Sequence, residues 1–333
     1  MEIIDFLELD KKIKLIDVRS PTEYEQGHIP TAINYPLFTD EERKAIGTAY
    51  KREGKEMAIL KGLKLIGKDL DSFAEGLLNL SKNEEMILHC WRGGMRSSSV
   101  GWLSNLVGIK TSILKGGYKS YRQFIKEFMK NSSLKLKIIG GPTGSKKTIL
   151  LNKLEERGEQ IIDLEALAHH KGSAFGFLGE LEQPSVEQFE NNLFEVLWSL
   201  DPLKTIWIEN ESKSIGRVYI PDEFWQKMNE APITFIHYEK KDRIHFLVKE
   251  YSKFGNNALE AAFQKIVKRL GGQNLKLALQ YLSEENYYAA ADVALTYYDK
   301  AYQNSLSKQK GKIEKTILAS GQQMDQIISE IIR

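Results

Sequence analysis

The stretch MILHCWRGGMRSSSVGWL, residues 86–103, predicts a strand, a tight loop and a helix in direct succession. The apolar run MIL leads to Cys90, two adjacent glycines follow, and a helical pattern begins at the serine run. A loop of this kind directs backbone amides and the positive end of the helix at the cysteine sulfur. Short apolar runs also alternate with helical patterns on both sides, at residues 13–18 and 111–117, so the first third of the chain predicts a parallel α/β sheet.

The loop after Cys90 has the composition of an anion site. Its glycines permit backbone conformations that a side chain would forbid, and its two arginines supply fixed positive charge that lowers the pKa of a thiol. Cys90 is the only cysteine, so the chain forms no internal disulfide. A buried inert cysteine is the alternative, and the loop composition argues against it. The predicted anion loop comprises Trp91, Arg92, Gly93, Gly94, Met95 and Arg96, with Cys90 as the catalytic residue.

Two chemistries fit these residues. Cys90, five intervening residues, Arg96 and Ser97 match the Cys-x5-Arg-Ser signature of cysteine phosphatases. A rhodanese-type carrier would instead hold a sulfur or selenium atom on the thiolate. Small rhodaneses typically have four residues between the cysteine and the arginine, whereas this chain has five. The wider loop predicts room for a tetrahedral phosphate. Selenophosphate would satisfy both demands.

The upstream segment LIDVRSPTEYEQGHIPTAINYPL, residues 15–37, resembles the signature of the rhodanese superfamily. The resemblance rests on Asp17-Val18-Arg19, Glu23, Gly27-His28-Ile29-Pro30, Ala32 and Asn34-Tyr35-Pro36. This superfamily includes both sulfurtransferases and cell-cycle phosphatases, so the fold alone leaves the chemistry open.

A second domain is predicted after the polar segment MKNSSLK, residues 129–135. The strand and helix alternation restarts there, so we predict a rhodanese-like domain at 1–132 and a second domain at 133–333. After a strand at 233–240 the remaining residues predict amphipathic helices. The predicted fold class is α/β, a rhodanese-like parallel-sheet domain followed by a P-loop NTPase-like doubly wound domain with helical C-terminal additions.

A phosphate loop is predicted in IIGGPTGSKKTILL, residues 138–151, between a strand and a helix. The Walker A pattern is matched at Gly141, Lys147 and Thr148, but Lys146 replaces its second glycine. The side chain at 146 would either crowd the phosphates or add charge, and the residues leave this open. Lysine bridges a diphosphate in such loops, and the hydroxyl can hold magnesium. The predicted diphosphate-binding set is Gly141, Thr143, Gly144, Ser145, Lys146, Lys147 and Thr148.

Two further segments supply candidate residues for the second domain. TIWIENES places Glu209 and Glu211 at a strand end, where a Walker B acid stands, although glutamate replaces the usual aspartate. LAHHKGSAFG, residues 167–176, adds His169, His170 and Lys171 in a loop that the doubly wound plan puts beside the phosphate loop. No third ligand has suitable spacing to the histidines, so we predict no protein metal site.

The charge pattern suggests a contact surface for RNA. The net charge is only +2, but residues 51–68 are rich in lysine, and in residues 115–126 basic residues alternate with aromatic ones. Taken alone, each run is most simply a solvated helix face. The candidate tRNA contacts are Lys51, Arg52, Lys55, Lys119 and Arg122. The chain lacks an apolar run of membrane length and starts with acidic residues, so we expect a cytoplasmic protein without membrane contact.

Taken together, the motifs resemble one family, bacterial tRNA 2-selenouridine synthase. Besides the rhodanese signature and the phosphate loop, the resemblance is carried by DEERKAIGTAYKREG (40–54), CWRGGMRS (90–97), KGGYKSYR (115–122), HHKGSAFG (169–176), QPSVEQFEN (183–191) and WIENESKSIG (207–216). The family alkylates the sulfur of 2-thiouridine at tRNA position 34 with geranyl diphosphate and then replaces the S-geranyl group with selenium from selenophosphate.

The resemblance implies that Cys90 carries or delivers selenium as a perselenide, and that Lys147 neutralises the diphosphate. It implies tRNA bound by its anticodon arm, with selenophosphate and geranyl diphosphate as the other substrates, and no tightly bound cofactor. We expect a monomer. The alternatives are a cell-cycle-type cysteine phosphatase fused to a nucleotide-binding module, and a non-catalytic tRNA-binding or sulfur-carrier protein.

Overall fold

The computed structural model describes residues 1–9, 13–82, 84–309 and 311–333. The chain divides into two compact units, Met1–Phe128 and Met129–Arg333. Both units contain parallel sheets flanked by helices, so the predicted α/β class is confirmed. Among the described residues, no helix combines the length and the apolar character needed to cross a membrane.

The first unit is built on a four-stranded parallel sheet of order β2-β1-β3-β4. Its strands are β1 (Lys14–Asp17), β2 (Ile33–Asn34), β3 (Met86–His89) and β4 (Thr111–Ile113). Its helices are α1 (Ile3–Leu7), α2 (Pro21–Gln26), α3 (Asp40–Arg52), α4 (Lys55–Ile66), α5 (Leu70–Ser81), α6 (Met95–Leu106) and α7 (Gly117–Asn131), the last of which runs across the unit boundary.

The middle strands of this sheet read as continuous apolar runs because helices cover both faces. All four residues of β3 are buried, as are the last three of β1. Ile16 and Leu88 from these strands pack with Val100 and Leu103 of α6 in one core cluster that also contains Cys90. The cysteine therefore starts its loop from a rigid base.

The second unit is built on a five-stranded parallel sheet of order β11-β10-β5-β7-β6. Its strands are β5 (Lys135–Gly140), β6 (Gln160–Ile162), β7 (Thr205–Glu209), β10 (Ile233–His237) and β11 (Ile313–Leu318), and β8 (Ser214–Ile215) pairs with β9 (Val218–Tyr219) in a separate antiparallel ladder. Its helices are α8 (Lys147–Glu156), α9 (Leu164–Ala168), α10 (Val186–Ser199), α11 (Asp222–Glu230), α12 (Lys240–Tyr251), α13 (Asn256–Lys265), α14 (Val267–Leu270), α15 (Gly272–Ser283), α16 (Tyr287–Leu306) and α17 (Met324–Ile332).

Two strand features depart from the sequence prediction. Residues after 240 were expected to be helical, but Ile313–Leu318 forms edge strand β11 beside β10, and the β8–β9 ladder was not predicted. Most residues of β11 are only partly buried or exposed, so the strand lacks the continuous apolar run that identifies the central strands. Its pairing partner lies far away in sequence, which local patterns do not reveal.

The predicted helical C-terminal part is confirmed in α12 to α16. These helices form their own core, in which Leu259 and Phe263 of α13 pack against Leu282 of α15 and Ala290 of α16. Phe175, from the loop after α9, joins the same cluster and contacts Phe263 edge to face with ring centroids 5.0 Å apart. The helical part is thereby fastened to the loop that follows β6.

Candidate functional site

Cys90 follows the last residue of β3, as predicted, and α6 begins five residues later at Met95, two residues before the serine run at which the helix was expected to begin. The side chain is almost fully buried, with 3% of the residue exposed. Ser97, in the first turn of α6, donates a hydrogen bond from Oγ to Cys90 Sγ at 3.4 Å. The sulfur is therefore buried and in contact with the first turn of α6.

The environment of Cys90 favours the thiolate. Burial opposes ionisation, but hydrogen bonds from the Ser97 hydroxyl and from the backbone amides of Ser97 and Arg92, together with the charge of Arg96, outweigh it. The pKa of the thiol therefore lies below its usual value. A lowered thiol pKa is the property that distinguishes a nucleophilic cysteine from an inert one.

The segment 115–122 supports the cysteine loop through its backbone. The amide of Tyr118 donates to the Cys90 carbonyl at 3.0 Å, and the amide of Lys119 donates to the Trp91 carbonyl at 2.9 Å. Gly117 has φ +57°, and a Cβ there would collide with the Cys90 carbonyl and the Gly93 amide. Only glycine permits this close approach, which explains the pair of glycines in KGGYKSYR.

The loop side chains differ in what they face. Trp91, Arg92 and Met95 are exposed, whereas Arg96 is held by Glu23, with Nη1 to Oε2 at 2.5 Å and Nη2 to Oε1 at 3.2 Å. The indole of Trp91 lies 5.8 Å from the Tyr118 ring, between centroids. The loop thus presents the Arg92 guanidinium and the side chains of Trp91 and Met95 to solvent around the buried thiol.

The upstream residues of the rhodanese signature support the cysteine loop structurally. The guanidinium of Arg19 is buried and donates to Asp17, with Nη2 to Oδ2 at 2.6 Å, and stacks 3.9 Å from the centre of the Tyr118 ring. Asn34 donates to the carbonyls of Asp17 at 3.0 Å and Arg19 at 2.9 Å. His89 lies 3.7 Å from Asp17, and burial lowers its pKa to about 4, so it is neutral at pH 7.

The phosphate loop connects β5 to α8 as predicted, and residue 146 shows why the motif normally has glycine there. Lys146 has φ +58° and ψ +29°, the left-handed conformation. Its ammonium lies 4.6 Å from the centre of the Tyr238 ring and 6.0 Å from that of Phe246. The aromatic rings therefore hold this side chain in a cation-π contact.

Lys147 and Thr148 lie beside an acid that sequence reasoning did not single out. Thr148 Oγ1 donates to Glu165 Oε2 at 2.8 Å, and Lys147 Nζ donates to the Gly141 carbonyl at 3.4 Å. Burial alone would lower the pKa of Lys147, but the interactions with Glu211 and Glu165 outweigh burial. The net pKa therefore lies above its usual value, and the lysine is cationic. The loop thus offers one fixed ammonium at the start of a helix.

The two predicted acids are both buried, and burial raises the pKa of each carboxyl. Glu209 ends β7, and its Oε1 accepts a hydrogen bond from the Glu165 amide at 2.9 Å. Burial, with the charges of Asp163 and Glu165, raises its pKa well above the usual value. Burial and the charge of Glu165 raise the pKa of Glu211 to about 8, although Lys147 opposes the shift.

The His-His-Lys segment follows α9, at the same edge of the sheet as the phosphate loop. His169 adopts a left-handed conformation, and its Nδ1 lies 2.8 Å from the Glu182 carbonyl. Burial, together with the charge of Lys265, lowers the pKa of His170. Lys171 pairs with Glu180 at 3.4 Å.

These segments surround an open cleft of about 1300 Å³ in the second unit. Of the predicted residues, the cleft is lined by Thr143, Gly144, Ser145, Lys146, Lys147, Thr148, His169, His170, Lys171 and Glu211. Gly141 and Glu209 are not on its wall and support the loop from behind. The structure therefore brings the phosphate loop and the His-His-Lys segment together, as the doubly wound plan predicted.

The donor set of the cleft suits magnesium more than a transition metal. The Thr148 hydroxyl and the Glu165 carboxylate are neighbouring oxygen donors, and magnesium is commonly held by one or two such groups together with substrate phosphates. Within the described ranges, no group of three or more histidine, cysteine, aspartate or glutamate residues could hold a metal ion.

The candidate tRNA contacts are all on helices of the first unit. Lys51 and Arg52 end α3, Lys55 starts α4, and all three are exposed. Lys119 is exposed on α7, and Arg122 is half-buried on the same helix. Lys119 adjoins the cysteine loop through its backbone bond to Trp91, which gives that end of α7 a direct relation to the thiol site.

Three residues of the phosphate site have no local sequence signal. Glu165 follows β6 and touches Thr148, and Tyr302 of α16 accepts a hydrogen bond from the Gly141 amide at 2.7 Å. Arg243 is buried, donates to the Thr143 carbonyl at 3.1 Å and pairs with Asp299. Only the acidic residue after a predicted strand could have marked Glu165, whereas Tyr302 and Arg243 reach the loop from distant helices.

Comparison with protein families gives two matches that follow the two units. Residues 5–124 match the family model described as a rhodanese-like domain. Residues 134–330 match the model described as the tRNA 2-selenouridine synthase AAA domain. The second match covers more than half of the chain.

Curated relatives agree with these matches. A tRNA 2-selenouridine synthase from Psychromonas ingrahamii is 32% identical over 336 residues, which cover 91% of this chain and 90% of that protein. One from Sulfurovum sp. is 34% identical over 81% of this chain and 79% of its own length. One from Nitrosomonas europaea is 37% identical over 71% of this chain, an alignment that spans 63% of that protein.

Proposed function

The chain belongs to the tRNA 2-selenouridine synthase family, and on that basis we propose that it converts 2-thiouridine at position 34 of tRNA into 2-selenouridine in two steps. Geranyl diphosphate alkylates the sulfur first, and selenium from selenophosphate then replaces the S-geranyl group. As a member of this family the chain is a tRNA-modifying enzyme. We assign the alkylation to the phosphate-loop cleft and the selenium step to the Cys90 loop.

In the alkylation, the sulfur on C2 of the base attacks C1 of the geranyl chain. A sulfur–carbon bond forms, and the carbon–oxygen bond to the diphosphate breaks with its electron pair going to the diphosphate. The N3 proton of the base is released to water. Lys147 at the start of α8 neutralises the charge that develops on the leaving group. Thr148 and Glu165 would hold a magnesium ion on the same diphosphate, which would supply further charge neutralisation.

The state of the acids in the cleft supports alkylation over nucleotide hydrolysis. A hydrolytic site needs an ionised base to activate water. Glu209 does not line the cleft, and Glu211, with its pKa raised to about 8, is mostly protonated at pH 7. A cationic phosphate loop beside the protonated Glu211 carboxyl, with the Glu165 carboxylate hydrogen-bonded to Thr148 rather than free to activate water, suits a diphosphate that departs rather than one attacked by water.

The assignment of the selenium step to this loop rests on one observation. The pKa of the Cys90 thiol is lowered within a loop whose backbone amides and arginines can bind an anion. The thiolate has loop amides and the exposed Arg92 around it, which suit a phosphate-bearing selenium donor. Trp91 and Met95, exposed beside the thiol, offer apolar surface on which an unstacked base could lie.

Electron balance defines how Cys90 delivers selenium. Displacement of geranylthiol at C2 needs selenium at the level of selenide, which is its level in selenophosphate. Attack of the thiolate on phosphorus forms a sulfur–phosphorus bond and releases selenide with the electron pair of the broken phosphorus–selenium bond. Water then cleaves the sulfur–phosphorus bond and restores the thiol. A perselenide on Cys90 would instead require a two-electron oxidant.

The proposal is tested with full-length variants and analysis of tRNA nucleosides by mass spectrometry. With Cys90→Ala, we expect S-geranyl-2-thiouridine to accumulate and 2-selenouridine to be absent. With Lys147→Ala, we expect geranylation to fall by about two to three orders of magnitude, in line with loss of a charged transition-state contact. Lys153→Ala, at a half-buried position on the same helix, and Ser98→Ala, at an exposed position, are the matched controls.

Full selenation by the Cys90→Ala variant would contradict the role of the thiol. The cysteine-phosphatase alternative rests on the Cys-x5-Arg spacing of Cys90 and Arg96. It predicts release of phosphate from phosphopeptides by the wild type but not by Cys90→Ala, with no change in tRNA nucleosides. That pattern would replace the selenium transfer as the function of the first unit.

A further inference from the structure

An apolar cavity, open to the surface on one side, lies within the helical part of the second unit. Its walls come from α12, α13, α15 and α16, with Leu247 and Val248 on one side and Leu259, Phe263 and Leu282 on another. Almost all of its lining is hydrocarbon. Cavities of this character hold apolar ligands rather than water, because they offer water few hydrogen-bond partners.

The cavity adjoins the phosphate loop. Thr143, in the turn of that loop, lines both the cavity and the open cleft, and Tyr251 and Tyr298 also line both. A molecule with an anionic head on the phosphate loop could therefore extend an apolar tail into the helical part. Nucleotides do not have this form, since their bases and sugars are polar.

Small side chains on α16 keep the space open. Ala290, Ala291 and Ala294 line the cavity from one side of this helix. Larger apolar residues at these positions would fill the space and add to the hydrophobic core, which favours stability.

We propose that this cavity binds the hydrocarbon chain of the prenyl diphosphate while Lys147 holds its diphosphate, and that residues around it determine the accepted chain length. This inference rests on the proposed function, because it places the tail of the alkylating substrate. The cavity would bind a part of the substrate that does not react, in addition to the diphosphate contacts of the phosphate loop. Chain burial would also keep the reactive carbon at the mouth of the cavity, beside the cleft.

Chain length should then determine affinity. Burial of each methylene contributes roughly a fourfold gain in binding, so a ten-carbon chain should bind far better than the head group alone. We expect geranyl diphosphate to bind the wild type about a hundredfold or more tighter than inorganic diphosphate, with dimethylallyl diphosphate between them. Imperfect packing and the ordering of the chain keep the gain below the full sum.

The test measures binding of these three compounds by calorimetry to the full chain without tRNA. Ala291→Phe fills the cavity from α16, and Val248→Phe fills it from α12; both positions are only half-buried, so the enlarged side chains have room to adjust. We expect either variant to reduce the advantage of geranyl over inorganic diphosphate at least about tenfold. Affinity for inorganic diphosphate should stay within about twofold, which also reports that the variant is folded.

Ala289→Phe is the control on the same helix, since this residue does not line the cavity. The inference is overturned if both filling variants keep the full advantage, if Ala289→Phe loses it equally, or if the wild type binds geranyl diphosphate no better than diphosphate. Failure of the proposed function looks different, because the wild type would then form no S-alkylated nucleoside from any prenyl diphosphate. If the wild type alkylates tRNA and the filling variants do not alter the preference, only the location of the chain is wrong.

Discussion

Glu23 holds Arg96 from a distance of 73 residues, with both guanidinium nitrogens donating to its carboxylate. The contact joins helix α2, which follows the Asp17-Val18-Arg19 strand end, to the first turn after the cysteine loop. Burial opposes ionisation of Glu23, but Arg96 outweighs it and lowers the pKa of the carboxyl. The contact therefore persists at any pH near neutrality and fixes where the Arg96 charge stands relative to Cys90.

Glu23→Gln should weaken this support without touching the phosphate-loop cleft. The amide can accept only one of the two guanidinium bonds and carries no charge, so Arg96 becomes free to move. We expect the selenation rate to fall by about tenfold with the rate of S-geranylation unchanged, measured by nucleoside mass spectrometry with purified protein. Glu25→Gln, exposed on the same helix, should change neither rate. Equal losses in both steps would indicate a general folding defect instead.

Ser97→Ala should raise the pKa of the Cys90 thiol, because it removes the hydroxyl that donates to the sulfur. Loss of a hydrogen bond of about 1 kcal/mol to the thiolate raises the pKa of the thiol by a little under one unit. The thiolate fraction at pH 7 therefore falls, and the pH profile of alkylation by iodoacetamide moves toward alkaline pH by that amount. Cys90 is the only thiol, so the assay reports it alone. An unmoved profile, or an equal displacement with the exposed Ser98→Ala, would refute the assignment.

Glu211→Gln should make the stability of the protein less sensitive to pH. The folded-state pKa of Glu211, about 8, lies above the ordinary value of 4.5, so folding favours the protonated carboxyl. The resulting stabilisation is fully present below about pH 4.5 and declines as the pH rises toward 8. Glutamine mimics the protonated form and avoids this loss.

We expect the difference in the free energy of unfolding, Glu211→Gln minus wild type, to increase as the pH rises from 5 to 8. The increase is at most about 1.4 kcal/mol per pH unit. Urea unfolding at several pH values measures the trend. The nearby ammonium of Lys147 makes the actual gain smaller, since it stabilises the ionised carboxylate. Glu223→Gln, at an exposed position on α11, should run parallel to the wild type. A gain that shrinks with rising pH would mean that Glu211 is ionised in the folded protein.

Lys146 provides a test of backbone conformation in the phosphate loop. Both Lys146→Gly and Lys146→Ala remove the cation-π contact with Tyr238, but only glycine adopts the left-handed conformation without cost. We expect the glycine variant to be more stable than the alanine variant by about 1 kcal/mol in urea unfolding. At Lys153, which lies within helix α8, the same pair of substitutions should rank in the opposite order. Equal stability of Lys146→Gly and Lys146→Ala would mean that the loop relaxes away from this conformation.

The sequence by itself determined the fold class and the two loops that carry the chemistry. Apolar runs identify buried parallel strands because the sheet is covered on both faces, and glycine-rich turns between strand and helix keep their spacing in any sequence context. Cys90, Lys147 and Thr148 could therefore be found by reading along the chain. Edge strand β11 could not, since its residues are mostly exposed or half-buried.

Only the tertiary structure decided which distant residues complete these loops. Glu165, Arg243 and Tyr302 reach the phosphate loop from three separate elements, and Glu23 reaches Arg96 across the first sheet. The ionisation of Cys90 and Glu211 likewise depends on burial and on neighbours brought close by folding. The physical reason is that hydrogen bonding and electrostatic interaction depend on distance in space, whereas local patterns record only separation along the chain.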